Sequence, residues 1–248
     1  MRGSLPRQSF DPSADSTLAW RDAAVGEVAQ RLRHKGFPCV FARNAGKKGL
    51  VRFMFVEGFD PEELDHLAEH LKSFLDSCRD WDGRVDSAPP LVVLFAPQVT
   101  AGCRSVRDFQ DRGWWVLREL HRRDPAPWPV EIPISPEDPD WSMCFAGTPI
   151  FVNMSTPAHQ QRHSRNLGEH LAFVVNPRER FDTLAGPTPR GRRARAVIRQ
   201  RVDIYDDLPH SGDLGTYGSG SLEWHQYEIQ DVDPPTHPER CPFLGQQA

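Results

Sequence analysis

WSMCFAGTPIFVNMSTPAHQQRHSRNLGEHLAFVVNP, residues 141–177, is the stretch around which the chain is organised. Two apolar runs, 143–146 and 149–152, flank Gly147-Thr148, a pattern that predicts a β-hairpin. A third run, 171–175, stops at Asn176-Pro177. The second and third runs are joined by a polar crossover, HQQRHSRN at 159–166, which carries two imidazoles, two guanidiniums and three amides. Connecting loops are ordinarily polar, but ligand-type and anion-binding side chains between two buried strands point to function.

Upstream, residues 1–16 read as a flexible arm, and 18–35 read as a helix, with Leu18, Val25, Val28, Ala29 and Leu32 near the 3.6-residue period. A short apolar stretch at 37–42 and a Gly-Lys-Lys-Gly turn at 46–49 precede a strand at 50–56. Asp60-Pro61 is an N-cap followed by proline at the first helical position, opening a helix with an apolar stripe from Leu64 to Cys78. A buried strand is expected at 91–95 and a second long helix at 105–123. The six prolines of 124–140 make that segment an extended crossing. Downstream of the central stretch come helices at 177–184 and 190–205, a Gly-rich loop at 209–220, a last strand at 222–229 (LEWHQYEI) and a Pro-rich tail. Elements that alternate in the first half and mix in the second predict one α/β to α+β domain over 17–248, with a central mixed β-sheet flanked by helices.

A chain of 248 residues is long enough for one substantial core. Its net charge of −4 argues against a general nucleic-acid binder. Apolar runs no longer than 91–96, and an N-terminus lacking a signal-peptide core, lead to the expectation of a cytoplasmic protein without membrane spans. Five scattered cysteines without a CxxC spacing disfavour both a disulfide framework and a four-cysteine zinc site.

Arg162 and Arg165 stand three apart within the crossover, and Arg192, Arg195 and Arg199 share a later helix. Guanidinium forks match carboxylates and phosphates. The functional reading is preferred for the first pair and a solvated basic face for the second set. His159 and His163 have the i,i+4 spacing of a metal pair, with Glu169 or His170 as a third ligand, but no HExxH pattern accompanies them. One imidazole or thiolate suffices if a porphyrin already holds the metal, which makes His159, Cys39 and Cys241 axial candidates. Gly218-Ser-Gly220 precedes a strand and not a helix, so no dinucleotide fingerprint exists, and neither a P-loop nor a GxSxG elbow is present. Glu223 is a carboxylate for a cationic substrate or a salt-bridge partner for an arginine.

FPCVFA (37–42), LHRRDPAPWP (120–129), WSMCFAGTPIFVN (141–153), PAHQQRHSRNLG (157–168), VVNPRERFD (174–182), IRQRVDIYDDLP (198–209), LGTYG (214–218), EWHQY (223–227) and CPF (241–243) resemble, in this order, the YqcI/YcgG-type family. The resemblance implies a heme-dependent monooxygenase that N-hydroxylates the guanidino group of L-arginine or a close analogue in natural-product biosynthesis. It further implies heme b, with His159 as proximal ligand and Cys39 as runner-up. Arg162, Arg165 and Asn166 would receive a heme propionate or the substrate carboxylate, and Glu223 the substrate guanidinium. Dioxygen or peroxide would be the oxidant, a separate ferredoxin-type reductase would supply electrons, and a homodimer is compatible. The alternatives are a non-heme metalloenzyme using His159 and His163, and a non-catalytic heme-binding or heme-sensing protein in which Cys241-Pro242 matters more.

Overall fold

The computed structural model describes residues 12–215, 220–232 and 234–244. Most of the expected arm, 1–11, and residues 216–219 of the expected Gly-rich loop lie outside the described residues. Helix α1 spans Pro12–Arg33, so it begins inside the stretch read as an arm.

Five strands form one mixed sheet in the order β1-β2-β5-β4-β3. β1 (Arg52–Val56) and β2 (Leu91–Phe95) pair in parallel, Arg52 opposite Leu91 and Val56 opposite Phe95. A parallel pair requires a crossover, and helix α3 (Pro61–Asp76) supplies it. It starts as the residues dictate, with the Asp60 carboxylate accepting from the Glu63 N–H at 3.0 Å. The remaining pairs, β2 with β5 (Ala172–Pro177), β5 with β4 (Thr148–Ser155) and β4 with β3 (Cys144–Phe145), are antiparallel. The hairpin turn falls on Ala146-Gly147, one residue earlier than expected, with φ of 51° and 70°. Both values belong to a type I′ turn, which glycine enters freely and alanine only under constraint. Asp124 supplies part of that constraint by accepting from the Ala146 N–H at 2.9 Å.

Helices cover both faces of the sheet, which is why every residue of β2 is buried. On one face Ile150, Val152, Met154, Phe173 and Val175 pack with α3, with α4 (Val106–Arg122) and with the buried rings of Trp114, Trp141, Trp224 and Tyr227. On the other, Val92, Leu94 and Ala172 meet Ala24, Val28 and Leu32 of α1, together with Phe37. Helix α2 (Val40–Lys47) occupies the stretch read as a short apolar run ending in a Gly-Lys-Lys-Gly turn. α5 (Glu179–Leu184) and α6 (Pro189–Asp206) follow β5.

One expected element has the wrong type. Residues 222–229 contain no strand: Glu223–Tyr227 is the short helix α7. Glu223 and Tyr227, four apart, therefore share a face, and the Tyr227 hydroxyl donates to Glu223 Oε1 at 2.6 Å. Apolar and polar residues alternate in LEWHQYEI much as in a strand, but burial of both Trp224 and Tyr227 against α4 wins. No described helix is long and apolar enough to cross a membrane.

Candidate functional site

Strand periodicity builds the site. Ile150, Val152 and Met154 point into the core, so Phe151, Asn153 and Ser155 are left on the opposite face of β4, and Val174 and Asn176 on that of β5. These residues floor a cavity of about 340 Å³ between the sheet, α2, α5 and α6. That volume lies within the usual range of small-molecule sites, about 300–1,000 Å³. Most of its wall is apolar, with Leu32, Phe37, Phe41, Val51, Phe181 and Ile198 among its residues.

Cys39 also lines the cavity, as the N-cap of α2, with its sulfur accepting from the Ala42 N–H at 3.4 Å. It is partly accessible, whereas the other four cysteines are buried. Burial raises the Cys39 thiol above its ordinary value, against the Ala42 and Phe41 N–H groups that favour the thiolate. The neutral thiol is therefore the resting form, and a metal at this sulfur would displace its proton. Cys241 is 1% exposed, is not among the cavity residues, and has its thiol raised by desolvation.

The crossover is not a helix. It ends in a single 3-10 turn, His163–Arg165, so the i,i+4 spacing brings no histidine pair together: His159 is buried and His163 exposed. His159 does not line the cavity, and both its ring nitrogens are engaged, Nδ1 with Thr156 Oγ1 at 3.2 Å and Nε2 with the Ile229 carbonyl at 2.9 Å. Burial lowers its pKa, favouring neutral imidazole. Neither proposed third ligand joins it: Glu169 is exposed, and His170 Nδ1 contacts the Phe95 carbonyl at 3.2 Å. Arg162 turns inward, donating Nε to the Gln230 carbonyl at 2.7 Å and Nη1 to the Pro209 carbonyl at 3.0 Å. Asn166 Nδ2 bridges the carbonyls of Pro157 and His159 at 3.3 Å each. These three side chains hold the crossover in shape.

Two carboxylates clamp it from outside. Asp231 accepts from the N–H groups of Gln160, Gln161 and Arg162 at 2.7, 3.2 and 3.0 Å. Asp206 accepts from the N–H and hydroxyl of Ser164, both at 2.7 Å.

Ser164 and Arg165 are the crossover's contribution to the cavity, and Arg165 is its charged member. Among the described residues it donates one hydrogen bond, from Nη1 to the Gln226 carbonyl at 3.1 Å, leaving donors of its fork for a ligand. Desolvation pushes it down to about 10, so it stays cationic at neutral pH. Arg178, Arg180, Arg195 and Arg199 also line the cavity. Two of the α6 arginines read as a solvated face are thus turned to the cavity, where Arg195 donates to the carbonyls of Ala185 and Gly186 and Arg199 to those of Leu214 and Gly215. Six arginines within 190–201 masked this in the sequence: nothing in their spacing separates the two that face inward. Asn153 and Asn176 were missed as well; a polar residue alternating with apolar ones on strands covered on both faces was the available signal.

Glu223, 1% exposed, lies at the cavity wall. Its Oε2 pairs with Arg178, and its Oε1 accepts from Ser142 Oγ at 2.7 Å and from the Tyr227 hydroxyl. A carboxylate offers about four acceptor sites, and described residues take three of them. The salt-bridge reading is therefore realised, with room for one further donor. Asp182, bonded to Arg178 at 3.3 Å, is the other carboxylate at the cavity among the described residues.

The family model described as YqcI/YcgG family matches residues 28–244. A protein of Streptomyces lavendulae named "Putative N(omega)-hydroxy-L-arginine synthase DcsA" is 51% identical over 236 residues, covering 95% of this chain and 88% of its own. Two proteins of Bacillus subtilis, uncharacterized protein YqcI and uncharacterized protein YcgG, are 33% and 34% identical, covering 84% and 90% of this chain and 80% and 88% of theirs. No solved structure matches.

Proposed function

Because the chain belongs to the YqcI/YcgG family, we propose that it N-hydroxylates the guanidino group of L-arginine or a close analogue with heme b bound in the cavity. The observation that carries the reading is one chamber combining an apolar wall, an accessible thiol and cationic side chains. These are the needs of a porphyrin: apolar faces for the macrocycle, one axial donor, and guanidiniums for two propionates. The residues present fit the group, and Cys39 rather than His159 would hold its iron, since a sulfur lines the cavity and the imidazole is engaged elsewhere.

Bound heme would supply the activation of oxygen, chemistry that side chains alone do not provide. Converting N–H to N–OH with dioxygen consumes two electrons and two protons and releases water; with hydrogen peroxide only water is released. A separate ferredoxin-type reductase is the electron source in the first case. Arg165, Arg195 and Arg199 would receive carboxylates, from propionate or substrate. Asp182, together with the remaining acceptor site on Glu223, would orient the guanidinium. Asn153, Ser155 and Asn176 offer neutral polar contacts that position substrate without adding charge. Phe151 and Phe181, their ring centroids 4.8 Å apart, would help exclude water.

Hemin titration of the full chain tests the cofactor: a saturating Soret band is expected, and its absence overturns the reading. Cys39→Ala should shift or abolish that band and His159→Ala should not; the reverse result returns the axial role to the imidazole. L-arginine incubated with the reconstituted protein and peroxide should gain the mass of one oxygen atom.

A further inference from the structure

Behind the cavity wall, on the side of α7 and the tail, lies a cluster the hydroxylation reading does not use. Asp213, His225 and His237 place one ligand-type atom each within 4.8 Å of the others. They come from the loop after α6, from α7 and from the C-terminal tail, twelve residues apart along the chain and adjacent in space. His225 Nδ1 is 3.7 Å and His237 Nε2 3.1 Å from Asp213 Oδ1. Ligands about 2.0–2.1 Å from a tetrahedral zinc ion are about 3.3 Å apart along a tetrahedron edge, so the 3.1 Å separation is close to that edge and the 3.7 Å one is a few tenths longer. His237 Nε2 is buried and faces Asp213 Oδ1 at 3.1 Å as an ion-pair contact, with no other partner among the described residues.

The other nitrogen of His237 is anchored. Nδ1 lies 3.3 Å from Glu228 Oε1, and Glu228 is fully buried, accepting from Trp114 Nε1 at 2.5 Å through its second oxygen. A carboxylate behind an imidazole whose outer nitrogen faces a second ligand-type group is the arrangement that orients metal-binding histidines. Gln230 secures the neighbouring Thr236 with bonds of 2.7 and 3.2 Å, and Trp224 packs against both imidazoles. The two rings are stacked 3.7 Å apart and parallel within 2°. One ring must tilt about χ2 for both nitrogens to reach the same ion, and that torsion is broad for histidine.

We propose that Asp213, His225 and His237 bind one divalent transition-metal ion of the zinc class, with Glu228 as a positioning residue. Two imidazoles and a carboxylate suit zinc and its first-row neighbours, not calcium or magnesium. The ion clips three segments together. Leu214 and Gly215, adjacent to Asp213, line the cavity and accept from Arg199, while Glu223 and Gln226 of α7 line it as well. The clip thus fixes part of the cavity's wall without entering it.

The test uses the full chain, freed of metal by chelation and titrated with zinc chloride alone by calorimetry. One equivalent should bind, H225Q and H237Q should each weaken binding at least about tenfold, and E228Q about 10–100-fold. H163Q, at an exposed histidine outside the cluster, should leave it unchanged. Should a variant fail to fold, cobalt chloride added to the unmodified chain decides: intense tetrahedral visible bands, lost on adding zinc, support the site. Weak octahedral bands, no saturable binding, or binding that survives in H225Q/H237Q overturn it. Hemin titration of the metal-free chain keeps failure here separate from failure of the hydroxylase reading.

Discussion

Glu223→Gln removes one charge from a buried pair while keeping the side chain's shape. The amide oxygen still accepts from Tyr227 and Ser142, whose contacts are 2.6 and 2.7 Å, so the loss falls on Arg178. Leaving one member of a buried ion pair uncompensated costs about 3–5 kcal/mol. Arg178 keeps Asp182 at 3.3 Å, a half-exposed partner, which places the expected cost at the lower end, about 3 kcal/mol. For a chain of this size about 2–4 °C accompanies each kcal/mol, so the melting temperature should fall by roughly 6–12 °C. Circular dichroism melts and urea midpoints measure this. Arg178→Met combined with Glu223→Gln should recover part of the loss, because neither buried charge of the pair remains and Asp182, half-exposed, is solvated. A single-variant shift under about 2 °C, or a double variant no better than the single, would refute the buried-pair reasoning. Substrate affinity separates the second role. If Glu223 also touches the guanidinium, the double variant regains stability but not arginine binding.

The remaining predictions concern the site's supports. Asp231→Ala should cost about 2 kcal/mol, since the Gln160 and Gln161 N–H groups rehydrate while that of Arg162 is partly buried. Burial raises the Asp231 pKa, but the three N–H donors outweigh it and hold the group below its ordinary value. Its contribution is therefore full above the unfolded value, about 3.9, and lost as pH falls through the folded one. The stability gap between wild type and Asp231→Ala, followed by urea midpoints against pH, should be flat above that value and close below it. Gly191→Ala would put a Cβ 2.2 Å from the Gly186 carbonyl oxygen, so the α5–α6 junction must shift. A loss of about 3 kcal/mol is expected, with weaker hemin binding, and an unchanged melt would contradict the close approach. Tyr227→Phe removes a donor to Glu223 and the acceptor for the Met143 N–H, and should cost about 1–3 kcal/mol in denaturant titration.

Periodicity and caps determined most of the fold. Asp60-Pro61 started α3, five consecutive apolar residues marked β2, and two apolar runs around a glycine marked the β3–β4 hairpin, because these signals are local backbone preferences. The same signals placed the crossover between β4 and β5 and brought out Cys39, Arg165 and Glu223 as residues of interest. Local signals could not say which polar side chains turn inward. His159 and Arg162 look as much like ligands as Arg165 does, and only packing against residues 209–231 engages His159 Nε2 and Arg162 Nε and Nη1 while sparing donors of the Arg165 fork. The LEWHQYEI stretch became a helix because Trp224 and Tyr227 both bury against α4. The members of the Asp213–His225–His237 cluster stand twelve residues apart, a spacing that no single helix or strand brings together, so only the fold assembles them. Which groups face a cavity depends on what covers the other face, and that is a property of the packed chain.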